Sequence, residues 1–510
     1  MTDVDAVVVG GGVAGLFAAL RLAQAGAKTA LLEQNHQLGG LAAGIRRKGF
    51  YFDAGCQSVI DAGILFPLLE RLGVRDDRWR RARFRVVAER GGYDFVADGL
   101  EAVREALAAG DPGAAPALDR VFRRHRKAAG AIEAIRRRGL PHVRADAGAV
   151  RELCRLFPEL GGHLWSLRSS FRERYEDFYA RELPPGPARD LLTRLGYPGM
   201  SAFFAGAVWH CWSHDYWYPE GGLQAWLESL GARFRAAGGT LVFKRRVVRL
   251  RRDGRRCVGI DLADGTSIGA RAVVLAVDLM QALGELLSPD WMTWRRQRHL
   301  EAARTAPLTT PLLACYVGLS WPAEELRRRM GAAHLFHIPA GASSLPGPEA
   351  DGHRRCWIQV AGHAAFESGE AKSSLVVQCF TDPSWQNRYG VGDRPALPRP
   401  PAYQALTERL RGDLLALLDQ ALPGAAAATV YADVGTPLST ERFTRSPLGS
   451  SAGFSWYLPE VPWSVLGCRR GIPGLYTCGQ TTIWPGSIAL SGLSGKIAAD
   501  AAVRDLGRRA

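Results

Sequence analysis

With 510 residues, 47% of them hydrophobic and 23% charged, the chain has the balance of a globular protein with room for roughly two to four domains, which excludes a disordered or fibrous chain. The 65 basic residues outweigh 50 acidic ones for a net charge of +15, but 59 of them are Arg, a skew that reflects coding bias more simply than a nucleic-acid partner, for which no motif is present. No run of about 20 apolar residues is free of charge, which excludes a membrane-spanning helix.

Met1 leads almost at once into a predicted strand and leaves no room for a signal peptide. Nine cysteines are scattered without a C-x-x-C pair, the pattern of reduced thiols in a cytoplasmic protein. The first strand is Asp5 to Val9. Gly10-Gly-Gly12-Val13-Ala14-Gly15 follows, then an Ala/Leu-rich helix from Leu16 to Ala25 and a strand from Lys28 to Leu32 that ends at Glu33. Gly10 permits a tight turn, Gly12 lets the backbone approach a pyrophosphate, and Gly15 lets the helix pack on the strand. The helix N-terminus offers free N–H groups and a positive dipole end to phosphates. Glu33, about 20 residues on, can accept ribose hydroxyls, and its charge disfavours the 2′-phosphate of NADP. A glycine-rich turn without a nucleotide is the plainer alternative. The full order of strand, turn, helix, strand and acid favours a dinucleotide.

Gln34 then leads to Gly39-Gly40-Leu41, and Gly49-Phe-Tyr-Phe-Asp53-Ala-Gly55 reads as a strand ending in a turn, with Cys56 and Gln57 beyond it. Leu118 to Gly139 reads as a basic amphipathic helix, either a solvated face or a peripheral contact with an anionic membrane. Phe203, Phe204, Trp209, Trp212, Tyr216, Trp217 and Trp226 concentrate aromatic rings, as core or as the wall of a substrate tunnel. His210 and His214 have helical i, i+4 spacing, but no third ligand is apparent, so no metal site is expected. His210 and its neighbour Tyr218 stand as candidates for acid–base work in a pocket. A helix is predicted from Leu223 to Ala237, then strands from Thr240 to Asp278 with turns at Asp253-Gly254 and Asp264-Gly265. Pro311 to Leu319, Cys356 to Gly362 and Ser374 to Thr381 read as apolar strands. Ile338 to Gly352 and Arg388 to Pro401 read as surface loops. Near the end come Thr436-Pro-Leu-Ser-Thr-Glu441-Arg442-Phe443, a short strand from Gly474 to Gly479-Gln480, Trp484-Pro-Gly486-Ser487-Ile488, and a small-residue helix from Leu493 to Ala502.

The glycine turn, Gly39-Gly40, Asp53-Ala-Gly55, Tyr218-Pro-Glu-Gly221-Gly222, Val247-x-x-Leu250, Thr436 to Phe443 and Gly479 to Ile488 together resemble the phytoene desaturase, carotenoid isomerase and retinol saturase group of the amine oxidase superfamily. Leu41 stands where relatives often carry Arg, and Ser487 where Gly is common. The resemblance implies FAD, an α/β two-domain fold, and a discontinuous Rossmann-type FAD domain (residues 1–80, 218–285 and 436–510). A substrate domain (81–217 and 286–435) would hold an antiparallel sheet covered by helices. It implies FAD contacts at Gly10, Gly12, Val13, Ala14, Gly15, Glu33, Gln34, Gly40, Leu41, Val247, Gly479, Gln480, Gly486, Ser487 and Ile488. The function put first is desaturation or dehydrogenation of a small hydrophobic substrate by hydride transfer to flavin. A reduced-flavin isomerase or saturase of a polyene is the second reading. A prenyl-protein binder of the GDP-dissociation-inhibitor type is the non-enzymatic one.

Overall fold

A computed structural model of the chain describes residues 3–76, 78–140, 161–162, 165–340, 358–362, 371–381, 383–385 and 400–508. Of the expected loops Ile338 to Gly352 and Arg388 to Pro401, all but the ends lie outside these residues.

Val4–Val9 is buried along its length apart from Asp5, as a β-branched strand covered on both faces must be. It lies inside a seven-stranded sheet, pairing in parallel with Thr29–Leu32 on one side and Ser267–Leu275 on the other. Thr240–Val242 extends the sheet beyond Thr29–Leu32, and Leu475–Thr477 runs parallel to the end of Ser267–Leu275. The antiparallel strands Val247–Asp253 and Arg256–Leu262 complete it, turning at Gly254, which has positive φ. One face packs on the helices Val13–Gln24, Gly222–Ala236 and Ile488–Asp505. The opposite face buries Val7, Val9, Ala30 and Leu32 against Leu279, Leu283 and Trp291. Each fully buried Val or Leu among them contributes roughly 1.5–3 kcal/mol.

The first helix begins at Val13, three residues before the sequence expectation. Gly12 is its N-cap, so Gly15 lies inside the first turn. A Cβ at Gly15 would collide with the carbonyl oxygen of Gly10. The glycine therefore serves the close approach of helix to strand. The C-terminal helix likewise starts at Ile488 rather than Leu493, because the Ser487 side chain caps it by accepting Leu490 N–H at 3.2 Å.

A second seven-stranded sheet runs in the order Thr429–Gly435, Leu312–Leu319, Ser373–Phe380, Ile358–Ala361, His334–Ile338, Phe84–Ala88, Tyr93–Val96. It is antiparallel except where His334–Ile338 joins Phe84–Ala88 in parallel. Helix Pro401–Ala421 covers one face. Against the other pack Ala115–Arg138, Tyr175–Glu182, Pro187–Arg194 and Ala202–His214. Ala115–Arg138 is the expected basic helix. Its apolar residues Leu118, Val121 and Ile132 are buried, and four of its arginines meet acids: Arg120 with Glu182, Arg124 with Glu173, Arg126 with Glu101 and Arg136 with Asp215. No helix among the described residues is long and apolar enough to cross a membrane.

The strand Phe50–Asp53 stitches the two sheets together. Ser374 donates to Tyr51 O at 2.7 Å, Tyr316 to Ala54 O at 2.6 Å, and Gln378 to Gly55 O at 2.8 Å. The segment from Ala54 to Cys56 is thereby held at the seam and keeps some accessible surface.

Candidate active site

The C-terminal ends of the parallel strands open onto a trench floored by glycine. Gly10 follows Val9 at φ +104°, where a side chain would meet Ala276 O at 2.6 Å. Gly12 is different. Its backbone is extended (φ −72°, ψ 179°), and a Cβ there would meet nothing nearer than Gly39 O at 4.0 Å. The space above it is open, and the N–H groups of Val13, Ala14 and Gly15 begin a helix with no side-chain cap and no acid in its first turn. This is an anion-binding arrangement.

Glu33 is buried at the end of the second strand. One carboxylate oxygen accepts Gly11 N–H at 2.7 Å; the other accepts Asn35 N–H at 2.8 Å and its side-chain amide at 2.9 Å. Asn35 also donates to Phe443 O at 2.8 Å, so the helix Pro437–Thr444 packs beside the ribose-side loop. The Thr436 to Phe443 signature is thus tied to the loop that carries Glu33 and Asn35. Gln34, half-buried, lies between Glu33 and Asn35. Val247 is buried nearby, since Arg245 N–H donates to Glu33 O at 3.0 Å. Gly39 N–H bonds Gly11 O at 2.9 Å, which lays Gly40 and Leu41 along the trench, and Leu41 O receives Cys56 N–H at 3.1 Å.

The far wall is the C-terminal segment. Gly479 has φ +119° and nothing within 4 Å of a Cβ position. Its N–H donates to Ser494 Oγ at 2.9 Å, and Gln480 donates to Ser446 Oγ at 3.2 Å. Gly486 fits against Ala452 O, and the helix at Ser487 and Ile488 starts beside it. Its small residues let it lie on the first helix, where Gly495 meets Ala14 O. Two buried polar atoms at the trench have no hydrogen-bond partner among the described residues: Asp278 Oδ2 and Gln57 Oε1. Asp278 follows the strand whose end faces Gly10; burial raises its pKa to about 6, against the lowering effect of Met280 N–H. Open glycine floors, a bare helix N-terminus and unsatisfied acceptors fit a phosphate-and-ribose cofactor.

Both acid–base candidates are hydrogen-bonded to protein groups. Tyr218 is buried and donates to Asp53 at 2.8 Å, while Tyr51 donates to the same carboxyl at 2.6 Å. Burial dominates there and lifts the pKa of Asp53 to about 7. His210 lies on the helix Ala202–His214, with Nε2 3.0 Å from Glu133 Oε1 and its ring beside that of His214. Cys56 is pushed up to about 12, chiefly by burial, so its thiol stays protonated.

The aromatic concentration divides. Trp209 and Trp226 are core, and Trp217 packs edge-on to Phe66. Phe204 is buried in the same cluster as Trp209 and carries it on toward the C-terminal segment. It contacts Trp484 at 5.3 Å and Trp456 at 5.1 Å; Trp456 contacts Tyr197 at 4.9 Å, and Tyr197 contacts Phe380 at 5.2 Å. This wall starts next to Gly486 and reaches the surface through Trp463, which is 57% exposed and 5.7 Å from Trp484. Sequence reasoning missed Tyr197, Phe380, Trp456 and Asp278, while Gln57 is marked beside Asp53-Ala-Gly55. Only Asp278 carried a signal, its place just past a parallel strand at the edge where ligands bind.

A family model described as flavin-containing amine oxidoreductase matches residues 13–503. An all-trans-retinol 13,14-reductase of Danio rerio is 23% identical over 94% of this chain and 82% of that protein. A lycopene-forming phytoene desaturase of Pseudescherichia vulneris is 27% identical over 63% of this chain and 64% of its own length. Among solved structures, a cyclohexylamine oxidase from Brevibacterium oxydans superposes with a TM-score of 0.61 at 15% identity, covering 99% of this chain and 100% of that one.

Proposed function

The chain belongs to the flavin-containing amine oxidoreductase family and is an FAD-dependent oxidoreductase, and from that premise we propose that it desaturates an apolar polyene or isoprenoid substrate. The observation that carries this reading is the uncharged aromatic wall from Trp484 to Phe380, which meets the glycine trench at Gly486. An apolar wall with few polar groups suits a lipophilic ligand. The relatives named for phytoene desaturation and retinol reduction share this chemical class.

Bound FAD supplies two-electron hydride exchange with a substrate C–H or C=C bond. The chain's part is to bind, orient and exclude water. Gly12 with the N–H groups of Val13, Ala14 and Gly15 takes the pyrophosphate. Glu33, with Gln34 and Val247 alongside, takes the adenosine end, and Gly40, Leu41 and Asp278 flank the middle of the cofactor. Gly479, Gln480, Gly486, Ser487 and Ile488 would hold the flavin end, where the positive N-terminal end of the helix Ile488–Asp505 would favour negative charge. Tyr218 and His210 are positioning residues in this reading, since each is bonded to a carboxyl group of the protein. Residues 1–80, 218–285 and 436–510 serve the cofactor, and 81–217 with 286–435 the substrate.

A saturase running in the opposite direction is favoured by one observation, the retinol reductase match across nearly the whole chain. The test is anaerobic. Bleaching of the flavin near 450 nm by a reduced polyene supports desaturation. Reoxidation of prereduced flavin by the unsaturated compound supports saturation. Indifference to both, with turnover of amines instead, overturns the proposal.

A further inference from the structure

A cavity of about 360 Å³ opens at the surface where the last turn of the helix Ala115–Arg138 meets the helix Leu65–Arg71 and a small antiparallel ribbon. The ribbon pairs Trp79–Arg81 with Tyr216–Pro219. Trp79 stands opposite Pro219 and Trp217 opposite Arg81, so the two indoles are diagonal neighbours on one face. Phe66 enters from the helix and meets both edge-on, at centroid distances of 5.4 Å and 5.3 Å. Gly63 lets the remaining wall close: at φ +70°, a Cβ there would stand 2.3 Å from the Cα of Arg136. None of the lining residues belongs to the glycine trench or to the aromatic wall.

The cavity is also charged. Asp61, Glu70 and Asp76 line it together with Arg75 and Arg136. Glu70 is paired with Arg75, Asp76 with Arg78 at 3.2 Å, and Arg136 with Asp215 at 3.0 Å. Asp61 is left over. It is 3% exposed, and among the described residues its oxygens accept only backbone N–H groups, from Gly63 at 2.9 Å and Phe66 at 2.7 Å. In a chain of net charge +15, an unmatched carboxyl on a cavity wall is a local reversal of sign. The rings favour the same ligand charge. An aromatic face attracts a cation through its quadrupole, and the chain uses this itself, with the Arg75 guanidinium carbon 4.8 Å from the Phe66 centroid.

We propose that this cavity binds a small organic cation, an ammonium group carrying methyl or methylene substituents, at a site separate from the reaction centre. Such a group rests its apolar substituents on the Trp79 and Trp217 indoles and turns its charge toward Asp61. The three rings supply the apolar faces and the carboxyl the counter-charge, the two halves of an ammonium-binding aromatic cage. An inorganic cation, strongly hydrated, gains little from the indoles, and an anion meets the unmatched charge of Asp61. The site is independent of the substrate reading above, since it shares no residue with the cofactor trench or the aromatic wall.

The test uses the flavin-loaded enzyme, isothermal titration calorimetry, and two probes of one shape: choline and its uncharged isostere 3,3-dimethyl-1-butanol. Choline should bind saturably and about tenfold more tightly than the alcohol, the effect of a cation partly desolvated among aromatic rings. Trp79→Leu removes one ring from a half-buried position, and Asp61→Asn removes the charge while keeping an oxygen for Phe66 N–H. Each should weaken choline binding by about five- to tenfold. Arg75→Gln should tighten it, because the variant vacates the Phe66 face and releases Glu70 from its partner. The flavin absorption band should stay unchanged throughout. Absence of saturable binding, equal affinity for choline and the alcohol, or choline affinity that survives both Trp79→Leu and Asp61→Asn overturns the inference. Bleaching of the flavin by choline overturns it as well, by placing the cation at the trench, and weaker binding in Arg75→Gln does so by showing that the cavity prefers negative charge.

Discussion

Gly12 and Gly15 sit three residues apart in one turn, yet the structure assigns them opposite roles, and alanine at each position separates binding from stability. At Gly12 the backbone is already one that an L-residue adopts, and the new methyl meets only Gly39 O at 4.0 Å. Without cofactor, Gly12→Ala should therefore be neutral or stabilising by about 0.4–1 kcal/mol, from the loss of unfolded-chain entropy. With cofactor, the methyl occupies the space through which the pyrophosphate must approach the helix N-terminus. Overpacking of this kind costs about 1–3 kcal/mol, which is about 5- to 150-fold in Kd for FAD. At Gly15 the methyl collides with Gly10 O and lies 3.1 Å from the Cβ of Ala276, so the helix must withdraw whether or not FAD is present. Gly15→Ala should lose at least about 3 kcal/mol in the cofactor-free protein itself. Differential scanning calorimetry of deflavinated protein gives the first quantity, and FAD titration by flavin fluorescence quenching gives the second. If Gly12→Ala lowers apo stability as Gly15→Ala does, or binds FAD as tightly as wild type, the open floor above Gly12 is not the cofactor cradle.

Tyr218→Phe removes one of two phenol donors to the buried Asp53 and should cost about 1–3 kcal/mol in denaturant unfolding while turnover per bound flavin is retained; a collapse of turnover at full flavin loading would restore a direct catalytic role. His210→Gln, which loses a bond to a half-exposed Glu133, should change stability by about 1 kcal/mol or less and leave turnover intact. Asp53 has a folded-state pKa of about 7, above its ordinary 3.8, so its contribution is full below about pH 4 and is lost as pH rises through 7. The stability of wild type minus that of Asp53→Asn should accordingly decline between pH 4 and pH 7.5 in parallel melts, and a flat difference would refute the assigned protonation. Ser487→Ala should cost about 1 kcal/mol through the lost cap on Leu490 N–H; unchanged melting would mean the helix start is held by packing alone.

How much was legible follows from the range of the interactions. The unit from Val4 to Glu33 depends on residues adjacent in the chain: a β-branched run, glycines at set spacing, an apolar helix and an acid. Its elements appeared where expected, with the helix starting three residues earlier at Val13 on the Gly12 N-cap and Gly15 serving the expected close packing. The Asp-Gly turns near Gly254 and Gly265 were equally local, both glycines having positive φ. In the second sheet three strands announced themselves as apolar runs. Phe84–Ala88, Tyr93–Val96, His334–Ile338 and Thr429–Gly435 did not, because they are short or alternate with Arg, Asp, His and Tyr, which pairing rather than composition accommodates.

The site divides along the same line. Glycine spacing and helix polarity sufficed to expect a dinucleotide and to name candidate backbone groups for it, since those groups belong to one local turn. The fates of Tyr218 and His210 required partners 165 and 77 residues away in the chain. The aromatic wall required Tyr197, Phe380 and Trp456, each unremarkable in its own neighbourhood, to converge with Phe204 and Trp484 from separate elements. Cofactor grip is written in short-range backbone geometry. At Ala54 to Cys56, by contrast, only tertiary packing decides which side chains meet, as Tyr316 and Gln378 of the second sheet do there.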